Sequence, residues 1–372
     1  MYRRGFMLLL LLLLTGCIKE QKLEDLGMVN SAAVDALKQE DGDSNGKKIT
    51  VAVGIPRIGL GGQTEVTNLQ TESESTKEAR RKLSLKTSQI LVSGQLQNLI
   101  FGKDLAASGL LRYLDSYRRD YSVGEKIHII IANGSAVKLL TDQYPGIPSI
   151  SEHISTLVEQ KGKINEAPPG RLYEFVRDYY DDGIDPILPL IAQEKDYVEI
   201  DGIALFDGDS YKGKIASDES VQFFLLLRSM KNGELLIKFT NSANGSHERA
   251  MLSQLITKRS ISVKQVDASY KVTLNVRVSG IILEYDGNQK INKDKAFTQM
   301  EQDMSKALRE ELQLIVSRLQ ALGTDSLGIG SAVRNSMSYE DWKRFDWRTI
   351  YPKLPVTINV DVNIRDAGMI QS

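Results

Sequence analysis

The spacing of apolar side chains changes character several times along the 372-residue chain, and each change predicts a different element. Met7 to Leu14 is an unbroken apolar run, and the chain turns polar directly after Cys17, with Lys19, Glu20, Lys22, Glu24 and Asp25. Met28–Ala36 reads as a strand, and Lys48–Gly54 (KKITVAVG) reads as another because every second side chain is apolar. Thr64–Thr76 is rich in Ser, Thr, Glu, Asn and Gln, and Ser75-x-x-Glu78 then forms a capping box opening a helix through Leu83. Strands are expected at Gln89–Ser93 and Leu96–Phe101, and a helix over Asp104–Asp120 with Leu105, Leu110, Leu111 and Leu114 roughly on one face. Lys126–Ala132 (KIHIIIA) is almost continuously apolar, as in a strand buried on both faces. Ser135–Thr141, Ser151–Gln160 and Gly170–Tyr180 are helix candidates between proline-bearing loops.

Tyr197–Phe206 reads as a strand turning at Asp207-Gly208-Asp209 into Tyr211-Lys212-Gly213-Lys214. A helix over Ser217–Met230 and a strand over Glu234–Thr240 follow, then a polar turn at Asn241–Glu248. Alternating strands are expected at Ser260–Val266 and Tyr270–Val278, with another at Ile281–Tyr285. The longest helix runs from about Asp294 to Leu322. Its apolar positions Phe297, Met300, Met304, Leu308, Leu312, Ile315, Leu319 and Leu322 are spaced by three and four and form one stripe. Packing of that stripe on the domain's own sheet is preferred here to a seam with a partner helix. Gly323 stands where a C-terminal cap belongs, and Val356–Ile364 is the last strand.

Strands alternating with helices place the chain in the α/β class, mixed α+β, with mixed sheets and the long helix on the sheet of the C-terminal domain. Pro186, Pro189 and Glu194-Lys195-Asp196 mark a boundary near residue 196. The expected division is a signal peptide at 1–16, a lipidated tether at 17–27, an N-terminal α/β domain at 28–196, a small middle domain at 197–257 and a C-terminal α/β domain at 258–372.

The first segment has a chemical meaning. Arg3 and Arg4, the leucine run and Leu14-Thr15-Gly16-Cys17 make up a secretory signal with a lipobox. The apolar run is eight residues long, too short for the ~20 that a spanning helix needs. Cys17 is the only cysteine. Once it carries a diacylglycerol, disulfides, thiolate catalysis and cysteine metal sites are excluded. Two or more acyl chains hold a protein stably to a bilayer where one holds it marginally. The full chain has 47 basic and 48 acidic side chains, and loss of Arg3 and Arg4 leaves a net charge of −3. That balance argues against nucleic acid as a partner.

Catalytic and metal motifs are not found. Asp41-Gly42-Asp43-Ser44-Asn45-Gly46 matches the first half of a calcium loop, but Ala52 stands where the bidentate glutamate belongs, so a hairpin turn is preferred. Gly59, Gly61 and Gly62 lack the Gly-Lys-Ser/Thr ending of a phosphate loop. His128, His153 and His247 have no partners at metal-ligand spacing, and Asp181-Asp182 carries no weight alone. The expectation is no enzyme, no metal and no cofactor, although acids distant in sequence could still form a glycosidase pair in space.

The end of the chain is the next most specific feature: Asp325-Ser326-Leu327-Gly328-Ile329-Gly330, then Trp342, Asp346-Trp347, Tyr351-Pro352 and Ala367-Gly368. It resembles the Ger(x)C family, the lipoprotein C subunits of spore germinant receptors. Thr76–Ser84, Phe101–Ala106 with Gly109-Leu110, Arg119-Asp120, Gly202–Phe206 and Tyr211–Gly213 look like further landmarks of that family. The resemblance implies a lipoprotein held through Cys17 to the outer face of the inner spore membrane, working with integral membrane subunits A and B. Within the signature, Gly328 and Gly330 are expected to allow a tight backbone path, and Trp342 and Trp347 to pin it to the core. Contact of the tryptophans with another subunit is the alternative. A lipid-tethered solute-binding protein that captures a nutrient directly is the rival reading of the whole chain.

Overall fold

The computed structural model describes residues 25–37, 48–58, 64–124, 126–266, 269–287 and 294–366. Strands β1 (Leu26–Met28), β2 (Ser31–Ala36), β3 (Ile49–Ile58), β4 (Thr64–Ser73), β5 (Ile90–Val92), β6 (Asn98–Gly102), β7 (His128–Ala132), β8 (Ile187–Gln193), β9 (Val198–Asp207) and β10 (Ser210–Ala216) make up the first part. β1 and β5 form a small parallel pair, and the other eight form one sheet in the order β10-β9-β8-β7-β6-β2-β3-β4. Its four central strands, β8-β7-β6-β2, run parallel, and antiparallel strands flank them on both sides.

The central strands are buried on both faces because the connections between them are helical. Ile129 and Ile131 of β7 join a core with Leu83, Leu114 and Phe175, side chains of the helices Thr76–Ser84, Leu111–Arg118 and Leu172–Tyr180. Ile130 and Ala132 point the other way, into a core with Leu140, Ile154 and Val158 of the helices Ala136–Thr141 and Ile150–Lys163. Two opposed apolar faces on one strand give the continuous run seen in the sequence.

The second sheet has the order β11-β12-β13-β14, from β11 (Leu235–Thr240), β12 (His247–Val266), β13 (Ser269–Asp286) and β14 (Val356–Asp366). The helix Asp294–Leu322 has the predicted bounds, and Met300, Met304, Leu308, Leu312, Ile315 and Leu319 are buried in one core with Leu274, Val276 and Ile358. The stripe packs on the domain's own sheet. Two polar side chains of this helix also close the outer edge of β14: Val362 N–H donates to Ser305 Oγ at 2.9 Å and Ile364 N–H to Glu301 Oε1 at 2.7 Å. A helix lying along an edge strand blocks pairing with another chain there.

Several elements depart from the sequence pattern. The Ser/Thr-rich stretch is strand β4, whose polar side chains suit an edge position. The helix expected over Asp104–Asp120 is two, Lys103–Ala106 and Leu111–Arg118. Gly109 breaks it at φ 98°, and Asp209 of the β9–β10 turn accepts from Leu110 N–H at 3.0 Å and Leu111 N–H at 3.0 Å. Pro189, taken as a boundary mark, lies inside β8. β7 pairs with β8 at Leu190 and Ile191, so the missing N–H interrupts no bond to it. The boundary near residue 196 falls in the turn between β8 and β9, which pair with each other. Residues 197–257 build no sheet of their own, because β9 and β10 complete the first sheet while β11 and the start of β12 belong to the second.

Candidate functional site at the joint between the two sheets

The long helix ends at Leu322, and Gly323 takes the left-handed conformation at φ 70° that its place as a cap required. The chain then crosses beneath the turn that follows the helix Leu172–Tyr180. Here Asp325, 3% exposed, organises three parts of the molecule. Its Oδ1 accepts from Ile329 N–H at 2.8 Å, and its Oδ2 accepts from Gly330 N–H at 2.6 Å and from the Trp347 indole N–H at 3.1 Å. A second buried carboxylate, Asp185, answers from the loop ahead of β8: its Oδ2 accepts from Asp325 N–H at 2.7 Å, and its own N–H donates to Asp325 C=O at 3.0 Å. The other oxygen of Asp185 accepts from Gly208 N–H at 2.9 Å in the β9–β10 turn, and Arg348 lies 3.7 Å from it while also pairing with Asp207.

Two glycines let the backbones meet. Ser331 N–H donates to Gly183 C=O at 2.8 Å. A Cβ on Gly330 would lie 2.5 Å from Trp347 Nε1 and 2.7 Å from Gly183 Cα, closer than real Cβ atoms come. The backbone passes close to its neighbours at Gly330, and Gly328 starts the helix Ile329–Arg334 at φ 67°. Trp342 and Trp347 are buried with ring centroids 6.0 Å apart, and the Tyr351 ring lies tilted 5.4 Å from Trp347 while its hydroxyl donates to Thr324 C=O at 3.0 Å. The five signature residues thus lie around one joint, with the tryptophans turned into the protein's own core.

Every acceptor contact of Asp325 is made by the protein's own N–H groups. The arrangement fixes a turn and ties the 181–185 loop to the 325–331 segment, and the same carboxylates line a pocket of about 210 Å³ together with Tyr179, Gly208 and Arg348. Burial pushes the Asp325 carboxyl up to about 7, with Asp185 adding to the rise and the Gly330, Ile329 and Trp347 donors opposing it. The folded chain therefore retains a proton that the unfolded chain, titrating near 3.8, has already released. The stability that this proton contributes is complete below that pH and is lost as pH rises through about 7. In urea unfolding from pH 4.5 to 8, the wild type should lose stability relative to Asp325→Asn as pH rises. A constant difference would show that Asp325 does not titrate in this window.

Other candidate positions are also committed to structure. His128 is buried, with Nδ1 2.7 Å from Pro169 C=O, and burial lowers its pKa. Asp181 pairs with Arg334 at 2.6 Å across the joint. Beyond the carboxyl ends of the parallel strands, where α/β sheets ordinarily hold ligands, Asp35 accepts from Ala136 N–H at 2.9 Å and Val137 N–H at 3.0 Å. An internal carboxylate thus fills the anion position at that helix start. Among the described residues no three His, Asp or Glu side chains converge as a metal site, and no helix is long and apolar enough to cross a membrane. Cys17, the glycine-bearing loops at 41–46 and 59–62, and Ala367-Gly368 lie outside the described residues.

Gly183, Asp185 and Arg348 were not anticipated. Asp-Asp-Gly-Ile-Asp at 181–185 carried a turn signal, but its partner Asp325 is 140 residues away.

The fold and its site define an α+β protein of two large sheets and a two-stranded pair, whose most elaborate polar cluster joins the 181–185 loop to the 325–331 segment. The chain belongs to the Ger(x)C family, the C subunits of spore germinant receptors. Residues 19–193 match the family described as spore germination protein N-terminal domain, and residues 201–368 match spore germination B3/GerAC like, C-terminal. The chain is 25% identical over 365 residues to spore germination protein GerQC of Bacillus cereus, covering 98% of each chain. It is 23% identical over 395 residues to spore germination protein KC of Bacillus subtilis (strain 168), covering 98% of this chain and 95% of that one. The crystal structure of the GerBC protein shares the fold with a TM-score of 0.58 at 15% identity, over 90% of this chain and 97% of that chain.

Proposed function

We propose that this protein is the lipid-anchored, non-catalytic subunit of a nutrient-sensing germinant receptor, held through Cys17 at the outer face of the inner spore membrane. There it works with the integral membrane subunits A and B in assembling the receptor or relaying its signal. The observation that carries this reading is a lipobox cysteine directly ahead of a chain that matches the family from residue 19 to 368. The engagement of buried Asp325 and Asp185 and of half-buried Asp35 by the chain's own N–H groups supports it. Deleting the gene and germinating spores on single nutrients tests the role, and the expected result is loss of response to at least one of them. Unchanged responses to every nutrient in a strain without paralogues would sink the proposal. Cys17→Ala is expected to move the protein from the membrane to the soluble fraction. A lipid-free variant that stayed membrane-bound would assign the anchoring to partner contacts.

A further inference from the structure

A cavity of about 250 Å³ opens between the helix Thr76–Ser84, the helix Leu111–Arg118 and the first sheet, and it shares no residue with the joint. Its floor is apolar: Val29, Val51, Val53, Leu83, Leu91 and Leu96 are all buried. Its rim is charged, with Lys77, Arg80 and Arg119 against the single acid Asp120. Arg80 spans the rim, 3.0 Å from Asp120 and 3.3 Å from Leu91 C=O, and Arg119 is engaged by Asp115 at 2.8 Å. Lys77 is exposed and has no ion pair among the described residues. Of the polar groups in the wall, the Thr76 and Ser116 hydroxyls hydrogen-bond each other at 2.8 Å, and the Tyr117 phenol is half-buried. No protein group hydrogen-bonds it among the described residues, and burial pushes its pKa up to about 12, so it stays a neutral hydroxyl.

We propose that this cavity binds a small amphiphilic acid, with an apolar body against the valine and leucine floor and a carboxylate at the Lys77–Arg80 rim. Size sets the first limit. An apolar cavity of about 150 Å³ takes benzene, so the volume here suits about ten non-hydrogen atoms and excludes a membrane acyl chain. Charge sets the second. Arg80 and Arg119 are each paired with an acid, so Lys77 leaves the rim with one positive charge unpaired among the described residues, and a carboxylate between Lys77 and Arg80 gains charge-assisted hydrogen bonds that a neutral head group does not. The hydroxyl of half-buried Tyr117 can donate to the ligand or accept from it. The proposal goes beyond the receptor-subunit reading and does not depend on it, because it rests on this cavity alone.

The test uses the full-length protein in lipid nanodiscs, with empty nanodiscs as the blank. Phenylacetate is the probe, and phenylacetamide is its uncharged equivalent of the same size. By saturation-transfer NMR titration, phenylacetate should bind with Kd on the order of 0.1 mM, and phenylacetamide at least tenfold more weakly. K77Q with R80Q should weaken phenylacetate about tenfold and leave the amide unchanged, which a general loss of structure would not do. K77Q alone, at an exposed side chain, serves if the double variant does not fold. Y117F should weaken both probes severalfold. No saturable binding of phenylacetate at ~10 mM, equal binding of the amide, or indifference to K77Q and R80Q would each overturn the proposal.

Discussion

Asp325→Ala is expected to lower the stability of the protein by about 3–5 kcal/mol. The substitution leaves the N–H groups of Ile329 and Gly330 and the indole N–H of Trp347 buried with no acceptor. Each such orphan costs about 1–3 kcal/mol. Part of that loss is offset, because the variant no longer buries a carboxyl whose charged form is disfavoured by its surroundings. Asp325→Asn retains the shape but turns an amide donor toward groups that already donate, so it should fall between the wild type and Asp325→Ala. Trp342 and Trp347 are the only tryptophans and both lie at the joint, so their fluorescence during urea unfolding reports this site directly. A loss below about 1 kcal/mol would show that water replaces the carboxylate at little cost.

Gly183→Ala is the second large effect, again about 3–5 kcal/mol, and it should differ in kind. Gly183 has φ 80°, where a Cβ is strained in any case, and that Cβ would lie 2.3 Å from Gly330 C and 2.5 Å from Ser331 N. Both neighbours are backbone, so no side chain can rotate out of the way. The least costly response is separation of the 181–185 turn from the 325–331 turn, which breaks the Ser331–Gly183 bond and the Asp185–Asp325 pair together. The apolar core that Ile203, Leu205 and Ile215 of the first sheet share with the long helix and the second sheet holds the two parts together through that movement. The expected result is one calorimetric transition displaced to lower temperature, because the shared core keeps the two sheets coupled. A single transition displaced by less than about 1 kcal/mol would show that the turns do not need to touch.

Both effects concern a joint that the sequence half revealed. The glycines and tryptophans of the C-terminal signature were visible as a cluster of unusual residues within 23 positions, and a tight turn beside a packed aromatic group is what local chemistry allows there. Asp325 was visible as part of that signature, but its role was not. The function of a buried carboxylate depends on which donors surround it, and its partner Asp185 comes from the loop ahead of β8, 140 residues away.

By itself the sequence determined the elements whose signal is local. The helix Asp294–Leu322 was legible because an apolar residue every three or four positions can be buried on only one face of a helix, and Gly323 closes it at a conformation that suits glycine. The central strand β7 was legible for the same reason, since a run apolar on both faces has to be covered on both. The lipobox needs no fold at all, because it is read as a linear segment. Tertiary structure decided what depends on neighbours. It made an edge strand of polar β4, carried the first sheet past Pro189 and across residue 196 to β10, and broke one expected helix at Gly109 over Asp209. It also closed the Asp185–Asp325 joint. The physical reason is common to all four: hydrogen-bond partners and burial are set by segments distant in the chain, and a local pattern records only the half of each contact that lies on its own side.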